Sequence, residues 1–293
     1  MIKEIRHKGE TSFMLLTSAL TLAGVSIISK AYWNTFRAEL KTIEIDAPQK
    51  MQFERALKVL HLTDIHVEKL SISPEKVVEL VDGETFDFIA LTGDYLDRIK
   101  SIDRFLSFLE TLVHIPTRHG LFAVWGNHDW VIADHLPLLK RKMEQLGVQV
   151  LANETVSVTH EGKAIHIIGI DDHHSGHSDV RQAFATVPEH GYRMILTHDP
   201  LIVKQKMPAF DYLICGHLHS GQIYYPLPVH SLKWGIRPFR KHLSGLQSHH
   251  TGKVYISGGL GQTGANLRLG CRPEITIHKI AGTNGPPVHA RLK

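Results

Sequence analysis

Five short segments of the sequence place metal-competent side chains directly after an apolar run. Each apolar run has the length of a buried strand, and three of the five stop at a glycine. Because ligands of open α/β sheets bind at the carboxyl ends of the strands, we predict that these side chains meet at one sheet edge. The metal-competent residues are Asp64, His66, Asp94, Asn127, His198, His217 and His219.

Two pairs among these residues share one spacing, since Asp64 with His66 and His217 with His219 are each separated by a single residue. In an extended segment, side chains at positions i and i+2 point the same way, so each pair can reach one ion. For an isolated pair, an aspartate turn beside an incidental histidine would be the simpler interpretation. The recurrence of the pattern favours metal binding.

The chemistry of the donor set indicates a dinuclear hydrolase. Carboxylate, amide and imidazole donors without a thiolate suit Mn²⁺, Fe²⁺/Fe³⁺ or Zn²⁺ better than Mg²⁺ or Ca²⁺. Two divalent metal ions about 3.5–4 Å apart polarise a phosphoryl oxygen and acidify a bridging water, whose hydroxide attacks phosphorus in line. Asp94 is predicted to bridge the two ions, since each carboxylate oxygen can serve one of them.

The composition is that of a globular enzyme. The chain of 293 residues is 43% hydrophobic, which is enough for a single α/β domain with a substantial core. Its net charge of +4 comes without dense Lys/Arg blocks, so no nucleic acid partner is expected. The two cysteines, Cys215 and Cys271, are too few for a disulfide framework or a cysteine-rich zinc site.

Residues 11–29 carry no charge and have the length of a transmembrane helix. We therefore predict a membrane anchor over residues 1–31, with a cleaved secretory signal and a buried core helix as the alternatives. Basic residues stand on both sides of the segment, so the side of the membrane stays open. Residues 32–56 are predicted to be a linker, residues 57–280 the catalytic domain and residues 281–293 a flexible tail.

Apolar periodicity supplies the elements between the five segments. Helices are predicted from Ser73, over residues 101–114 and over residues 135–145. Strands are predicted at residues 148–151, 155–159 and 164–170, with antiparallel hairpin structure around Glu161 and Gly162. The segment Asp171-Asp172-His173-His174 could bind a metal by composition, but it is predicted to be mostly a solvated loop.

The ordered motifs resemble those of the calcineurin-like metallophosphoesterase superfamily. They are Asp-x-His (64–66), Gly-Asp-x-x-Asp (93–97), Gly-Asn-His-Asp (126–129), a histidine before Asp-Pro (198) and Gly-His-x-His (216–219). The resemblance covers all five motifs of that family, between about residues 57 and 280. It implies a four-layer α/β/β/α sandwich, the metallo-dependent phosphatase-like fold, in which two mixed sheets pack face to face.

The resemblance also implies a role for each site residue. One ion would take Asp64, His66, Asp94 and His219, and the other would take Asp94, Asn127, His198 and His217. His128 is similar to the family's histidine that binds the phosphate or protonates the leaving oxygen. Asp129 would orient the imidazole of His128 by a hydrogen bond.

The motifs Ser-Gly-Gln (220–222), Gly-Gly-Leu-Gly (258–261) and Leu-Arg-Leu-Gly-Cys-Arg-Pro-Glu (267–274), with the apolar N-terminal segment, look like a bacterial membrane-associated phosphodiesterase branch. A lineage resembling that branch hydrolyses the pyrophosphate of UDP-2,3-diacylglucosamine. The resemblance implies a phosphodiesterase or pyrophosphatase at the bacterial inner membrane. The alternatives are a phosphomonoesterase or nucleotide phosphodiesterase acting on a soluble substrate, and a metal-dependent membrane scaffold without turnover.

Residues 213–273 contain no aspartate or glutamate, whereas basic and aromatic residues alternate there. Trp234 and Arg237 are examples. Such a mixture suits a membrane interface or an amphiphilic anionic lipid as the phosphoester substrate. The alternative is a structural loop whose aromatic residues fill a gap in the core.

Overall fold

The computed structural model describes residues 2–224 and 243–281, in which twelve strands form two six-stranded sheets. The strands are β1 (Glu39–Asp46), β2 (Leu57–Leu62), β3 (Phe88–Thr92), β4 (Leu121–Val124), β5 (Val148–Val150), β6 (Glu154–His160), β7 (Lys163–Gly169), β8 (Tyr192–Leu196), β9 (Tyr212–Cys215), β10 (Gly245–His249), β11 (Gly252–Ile256) and β12 (Glu274–Ala281). The α-helices of the described residues are α1 (Ile2–Asn34), α2 (Pro74–Leu80), α3 (Ile102–Leu112), α4 (Leu136–Gln145) and α5 (Val180–Phe184).

Both sheets are mixed and have a parallel centre. The first sheet has the order β1-β12-β2-β3-β4-β5, in which β2, β3, β4 and β5 run parallel and β12 is antiparallel to β2. The second sheet has the order β10-β11-β9-β8-β7-β6, in which β11, β9, β8 and β7 run parallel. Antiparallel pairs, β10 with β11 and β6 with β7, close its two edges. Parallel neighbours bring their carboxyl ends to one edge, which is where the predicted ligands follow.

Strand β3 shows how the layers are stacked. Phe88 and Ala90 pack between the two sheets, whereas Ile89 and Leu91 pack on the other face against the layer of α2, α3 and α4. Because successive side chains of a strand point to opposite faces, a strand buried on both faces must be apolar throughout. A third cluster packs α5, through Ala183, on the outer face of the second sheet. The predicted four-layer α/β/β/α sandwich is confirmed.

The helices form where the sequence supplies their start signals. Ser73 caps α2 by accepting a hydrogen bond from the Lys76 amide at 3.3 Å, and Pro74 occupies the first turn. Helix α3 buries Phe105 and Leu109, which are four residues apart and therefore on one face. The predicted helices agree with α2, α3 and α4 to within two residues.

The middle segment differs in one respect from the prediction. Strands β6 and β7 do form the predicted hairpin, and Glu161 and Gly162 turn it with positive φ angles of 50° and 75°. Strand β5, in contrast, pairs in parallel with β4 and belongs to the first sheet. Hydrophobic alternation gives a strand but not its partner, so periodicity alone could not separate β5 from the hairpin.

The segment predicted as a linker contributes an edge strand. Within residues 32–56, β1 pairs in parallel with β12 from Glu39 to Asp46, and Ile45 is buried in the core between the sheets. Residues 282–293, which include nearly all of the predicted flexible tail, lie outside the described residues.

Helix α1 is continuous to Asn34, and its end contacts the catalytic body. Among the described residues, Phe13–Asn34 is the one helical stretch long and apolar enough to cross a membrane, with 22 residues and a mean hydropathy of 1.6. At its end, the Ala31 carbonyl accepts a hydrogen bond from the Arg268 amide at 2.8 Å. The Asn34 side-chain amide donates to the Arg268 carbonyl at 2.9 Å. The helix therefore joins the body without a flexible spacer.

Candidate metal centre

The predicted metal-binding residues all lie where a strand of a parallel pair ends. Asp64 follows β2, Asp94 follows β3 and Asn127 follows β4 in the first sheet. His198 follows β8 and His217 follows β9 in the second sheet. The predicted ligands do follow strand ends, but they meet where the carboxyl edges of two sheets converge and not at the edge of a single sheet.

Two of the four clusters of potential ligands among the described residues consist entirely of predicted metal ligands. Asp64, His66 and His219 place one donor atom each within 4.8 Å of one another, and all three residues are buried. Asp94, His198 and His217 form the second cluster. Their donor atoms also lie within 4.8 Å of one another, and all three residues are buried. These clusters coincide with the two ligand sets implied by the resemblance, apart from the shared Asp94 and from Asn127.

Asp94 stands between the two clusters. Its Oδ2 atom lies 3.4 Å from the His66 Nε2 atom and 3.1 Å from the His198 Nε2 atom. Its Oδ1 atom accepts a hydrogen bond from the His128 amide at 2.8 Å. One carboxylate therefore contacts a histidine of each cluster, which is the position that a bridging ligand requires.

Asn127 gives an independent test of whether the residues fit metal ions. Its side-chain oxygen is buried and has no hydrogen-bond partner among the described groups. A buried acceptor without a partner costs about 1–3 kcal/mol, and a cation beside it would supply the missing interaction. Together with buried carboxylates and imidazoles, this oxygen makes a donor set that fits divalent ions.

The backbone at the site is strained. Five of the seven predicted ligands have left-handed backbone angles, at a cost of about 1–3 kcal/mol each for residues other than glycine. Backbone hydrogen bonds hold two of them in place, from the Asp64 amide to the Gly93 carbonyl at 3.0 Å and from the His66 amide to the Asp94 carbonyl at 2.9 Å. The positive φ angles are 52° at Asp64, 40° at His66, 57° at Asp94, 73° at His217 and 47° at His219.

Two glycines allow the loops to approach the ligands. A Cβ atom at Gly126 would overlap the Asp94 carboxylate, and one at Gly216 would overlap the Asp64 carboxylate. Glycine is therefore required at both positions for close packing of the loops. The sequence signal at these positions, a glycine ending an apolar run, has this physical cause.

The electrostatics of the clusters favour proton release on metal binding. Burial lowers the pKa of His66, but the carboxylates of Asp94 and Asp97 outweigh burial and raise that pKa to about 10. Burial lowers the pKa of His198 too, yet Asp94 outweighs it and holds that pKa well above the usual value. Burial raises the pKa of Asp94, but His198 and His66 outweigh it and hold it well below its ordinary value. Since a ligating imidazole must be neutral, metal ions compete with protons here.

The other two histidines are kept neutral. Burial lowers the pKa of His217 to about 3, and burial together with His66 and Arg268 holds the pKa of His219 well below its usual value. Neutral imidazoles in an oxygen-rich cluster can donate to a metal ion without losing a proton first.

Asp97, and not Asp129, contacts the imidazole of His128. The His128 Nδ1 atom lies 2.8 Å from the Asp97 Oδ1 atom, and both side chains are partly exposed at the rim of the site. Burial lowers the pKa of His128, but the hydrogen bond with Asp97 and the charge of Asp94 outweigh it and raise that pKa. The same Asp97 oxygen lies 3.3 Å from the Nδ1 atom of His66.

The role predicted for Asp129 is wrong. Its carboxylate is fully buried and accepts hydrogen bonds from backbone amides, at 2.9 Å from Asp94, 2.8 Å from Tyr95 and 2.8 Å from Gly126. Asp129 begins a short 3₁₀ helix (Asp129–His135), which turns its side chain back toward the end of β3. It therefore fixes the loops after β3 and β4 relative to each other.

The segment predicted as a mostly solvated loop lines the site. Asp171 and Asp172 are buried, and Asp171 accepts a hydrogen bond from the indole of Trp130 at 3.1 Å. The exposed ring of His174 lies 5.2 Å from the ring of His217. This segment follows β7, a parallel neighbour of β8, so the strand-end argument could have placed it correctly.

Arg268 is a buried residue at the site that the sequence did not single out. Its guanidinium donates to the carbonyls of Gly258 at 2.9 Å and Gly259 at 3.0 Å, and it reaches the His219 carbonyl at 3.5 Å. It thereby holds the glycine-rich turn after β11 against a metal-binding histidine. In the sequence it appears as part of the motif at residues 267–274, in a stretch without acidic residues, and no role was predicted for it.

The family follows from comparison with known proteins. Residues 57–221 match the calcineurin-like phosphoesterase family. The uncharacterized metallophosphoesterase YkoQ of Bacillus subtilis is 40% identical over 270 residues, which cover 92% of this chain and 100% of YkoQ. The chain belongs to the calcineurin-like phosphoesterase family, as the resemblance predicts, and is a metal-dependent phosphoester hydrolase.

Two further relatives connect the chain with phosphodiesterases and with membrane proteins. The phosphodiesterase YaeI of Escherichia coli is 28% identical over 236 residues, covering 76% of this chain and 82% of YaeI. A transmembrane protein with a metallophosphoesterase domain from Bos taurus is 30% identical over 255 residues, covering 80% of this chain and 55% of that protein.

The predicted membrane or lipid contact of the stretch without acidic residues falls largely on residues 225–242. These residues, which contain Trp234 and Arg237, lie outside the described residues.

Proposed function

We propose that the protein is a two-metal phosphodiesterase held at a membrane by α1. The observation that supports two ions most strongly is the position of Asp94, whose Oδ2 atom lies 3.1 Å from His198 Nε2 and 3.4 Å from His66 Nε2. Asp64, His66, Asp94 and His219 would hold one ion. Asp94, Asn127, His198 and His217 would hold the other.

The bound ions and the side chains of the protein would contribute different parts of the reaction. Bound divalent ions supply Lewis acidity toward phosphoryl oxygens and make water nucleophilic near neutral pH. The chain supplies His128, whose Nδ1 atom is fixed by Asp97, so that Nε2 is the nitrogen presented to substrate. The raised pKa favours the protonated form of His128, which can bind a phosphoryl oxygen or protonate the leaving oxygen.

Anchoring by α1 is supported by its length and exposure. The stretch Phe13–Asn34 has 22 residues, and none of its most apolar window is buried in the protein. Such a helix spans about 33 Å, which matches the hydrocarbon core of a bilayer. The contacts of Ala31 and Asn34 with Arg268 favour a retained anchor over a cleaved signal, because cleavage after the apolar segment would separate the helix from the body.

The proposed substrate is a phosphodiester or pyrophosphate of an amphiphilic molecule. The specific candidate is UDP-2,3-diacylglucosamine, which the resemblance suggests. An anchored site meets lipid substrates in the bilayer at high local concentration. The full chain, purified in detergent and supplied with Mn²⁺, should hydrolyse bis-p-nitrophenyl phosphate and UDP-2,3-diacylglucosamine faster than p-nitrophenyl phosphate. Faster hydrolysis of the monoester would contradict the diesterase proposal, and equal rates in an Asp94→Asn control would assign the activity to a contaminant.

A further inference from the structure

A cavity lies where α1 leaves its apolar stretch and meets the catalytic body. Its volume is about 530 Å³. Ser26, Ser29 and Lys30 line it from the helix, and Arg272 lines it from the segment before β12. The small serines leave room beside the helix, whereas the long cationic side chains surround it. The cavity is separate from the candidate metal centre, because none of the proposed ligands lines it.

Cationic side chains dominate the described residues around this cavity. Lys30, Arg37 and Arg272 are all exposed there. Glu39, which lies 3.6 Å from the Arg272 Nε atom, is the one acidic residue among the described lining of the adjoining cavity. The two cavities together are lined by four cations, which include Lys41, and by one carboxylate, so the site is positive. Arginine side chains with hydroxyl groups beside them are typical of phosphate binding.

With α1 across a bilayer, as in the proposed function, the aromatic residues beside the cavity would place it at the headgroup layer. Tyr32, Trp33 and Phe36 are 43%, 59% and 41% exposed and contact one another at the end of the apolar helix. Exposed aromatic rings at the end of a membrane-spanning helix sit at the membrane–water interface. Lys30, one turn earlier, can extend its chain along the helix to bring its charge to the same depth.

We propose that this cavity binds the phosphate-bearing headgroup of an anionic phospholipid in the leaflet next to the catalytic body. This inference rests on the anchoring in the proposed function. The net charge selects an anion, and the depth places that anion in the bilayer. Lys30, Arg37 and Arg272 contact the phosphate, and Trp33 packs at the level of the glycerol region.

Headgroup binding at this place orients the catalytic body. An adjoining cavity of about 370 Å³ shares Lys30 and Arg272 with the first and reaches Ser220, which directly follows the metal-binding His219. Arg272 also lies on the segment whose Arg268 holds the His219 carbonyl. A lipid held between α1 and Arg272 therefore fixes the His219 loop relative to the membrane surface.

The test is a lipid-binding measurement on the full chain in detergent. Calorimetric titrations with dioctanoyl phosphatidylglycerol, dioctanoyl phosphatidylcholine and inorganic phosphate are compared. We expect saturable binding of phosphatidylglycerol and at least tenfold weaker binding of the other two. Arg37→Gln with Arg272→Gln should weaken phosphatidylglycerol binding about 30-fold, from about fivefold per basic residue near anionic lipid. The matched pair Lys140→Gln with Arg181→Gln removes equal charge on α4 and α5 and should change nothing.

A second variant keeps the charge and fills the space. Ser29→Phe should weaken phosphatidylglycerol binding about tenfold, which attraction by charge alone does not predict. The proposal would be overturned by equal affinity for the two lipids, or by equal losses of affinity in both double variants. Phosphate binding as tight as lipid binding would also overturn it. All titrations are run on metal-free protein in the presence of a chelator, so that neither the lipids, which are themselves phosphodiesters, nor phosphate can bind through ions at the metal centre. Failure to bind lipid then leaves the hydrolase proposal intact. Conversely, a chain that binds lipid but cleaves no diester refutes only the proposed function.

Discussion

The Nδ1 atom of His128 lies 2.8 Å from the Oδ1 atom of Asp97, and this contact defines the outer part of the candidate active site. Asp97 also lies 3.3 Å from the Nδ1 atom of His66. One carboxylate therefore connects the residue proposed to act on substrate with a proposed metal ligand. Partners of this kind orient the groups that they contact and tune their basicity.

Replacing Asp97 tests that connection. Asp97→Asn should lower kcat for diesters about 10–100-fold, the usual effect of losing such an outer partner. Because Asp97 raises the pKa of His128, the variant lowers that pKa. A general acid is active below its pKa and loses activity as pH rises through it, so the alkaline limb of the kcat profile should move to lower pH. The measurement is a pH–rate profile at saturating Mn²⁺.

The control for this profile is Asp103→Asn, which removes an equal charge from an exposed position on α3. It should leave both the rate and the pH limb unchanged. An alkaline limb that stays in place in Asp97→Asn, with an undiminished rate, would show that Asp97 has no part in setting the protonation of His128.

His128 itself is tested through the leaving group. His128→Ala should keep normal metal content while kcat for an alkyl diester falls about 10²–10⁴-fold, the range for a lost general acid. A p-nitrophenyl ester should lose much less, since p-nitrophenolate leaves without being protonated. Equal losses for both esters would instead assign His128 to binding of the phosphoryl group.

Truncations separate the anchor from the fold. A chain starting at Ser29 should be soluble, bind metal and hydrolyse bis-p-nitrophenyl phosphate, because every proposed ligand follows β1. A chain starting at Ala47 loses β1 and with it the buried Ile45, whose burial alone contributes about 1.5–3 kcal/mol. Its urea midpoint should fall clearly below that of the first truncation. Equal midpoints would show that residues 32–46 act as the linker that the sequence suggests.

A buried polar chain between the sheets predicts the acid sensitivity of the fold. The His278 Nε2 atom lies 3.3 Å from the His61 Nδ1 atom, and the Tyr212 hydroxyl oxygen lies 2.8 Å from the His278 Nδ1 atom. Burial lowers the pKa of His61 to about 3 and holds that of His278 well below its usual value. Below pH 6.5 the unfolded chain binds these protons and the native chain does not, so stability falls as pH drops from 6.5 toward 3.

His278→Gln removes one of these groups while keeping hydrogen-bonding capacity. The free energy of unfolding, measured by urea titration of the full chain, should then depend less steeply on pH. The expected change is about 1.4 kcal/mol per pH unit between pH 6 and 4, the value for one proton. An unchanged slope would mean that His278 takes up its proton in the folded protein.

The strand-end pattern was sufficient to bring the ligands together, because each follows an apolar strand and a parallel sheet collects such strand ends at one edge. The two-sheet sandwich was predicted from the family resemblance. The sequence was insufficient where side-chain direction depends on packing between distant segments. Asp97 meets His66 and His128 only because the loops after β2, β3 and β4 fold over one edge, and Asp129 turns inward with its 3₁₀ helix. Asp171 and Asp172 follow a strand end too, but the composition of their segment suggested solvent exposure.

The most direct test of the account is the metal content of Asp94→Asn. The amide of asparagine has no anionic oxygen to place between the two clusters, so this variant should bind at most one ion per chain and lose essentially all diesterase activity. The wild-type chain and the Asp103→Asn control should each bind two ions of Mn²⁺, Fe or Zn²⁺ by elemental analysis. Two ions bound by Asp94→Asn with unchanged affinity would contradict the bridging role of Asp94.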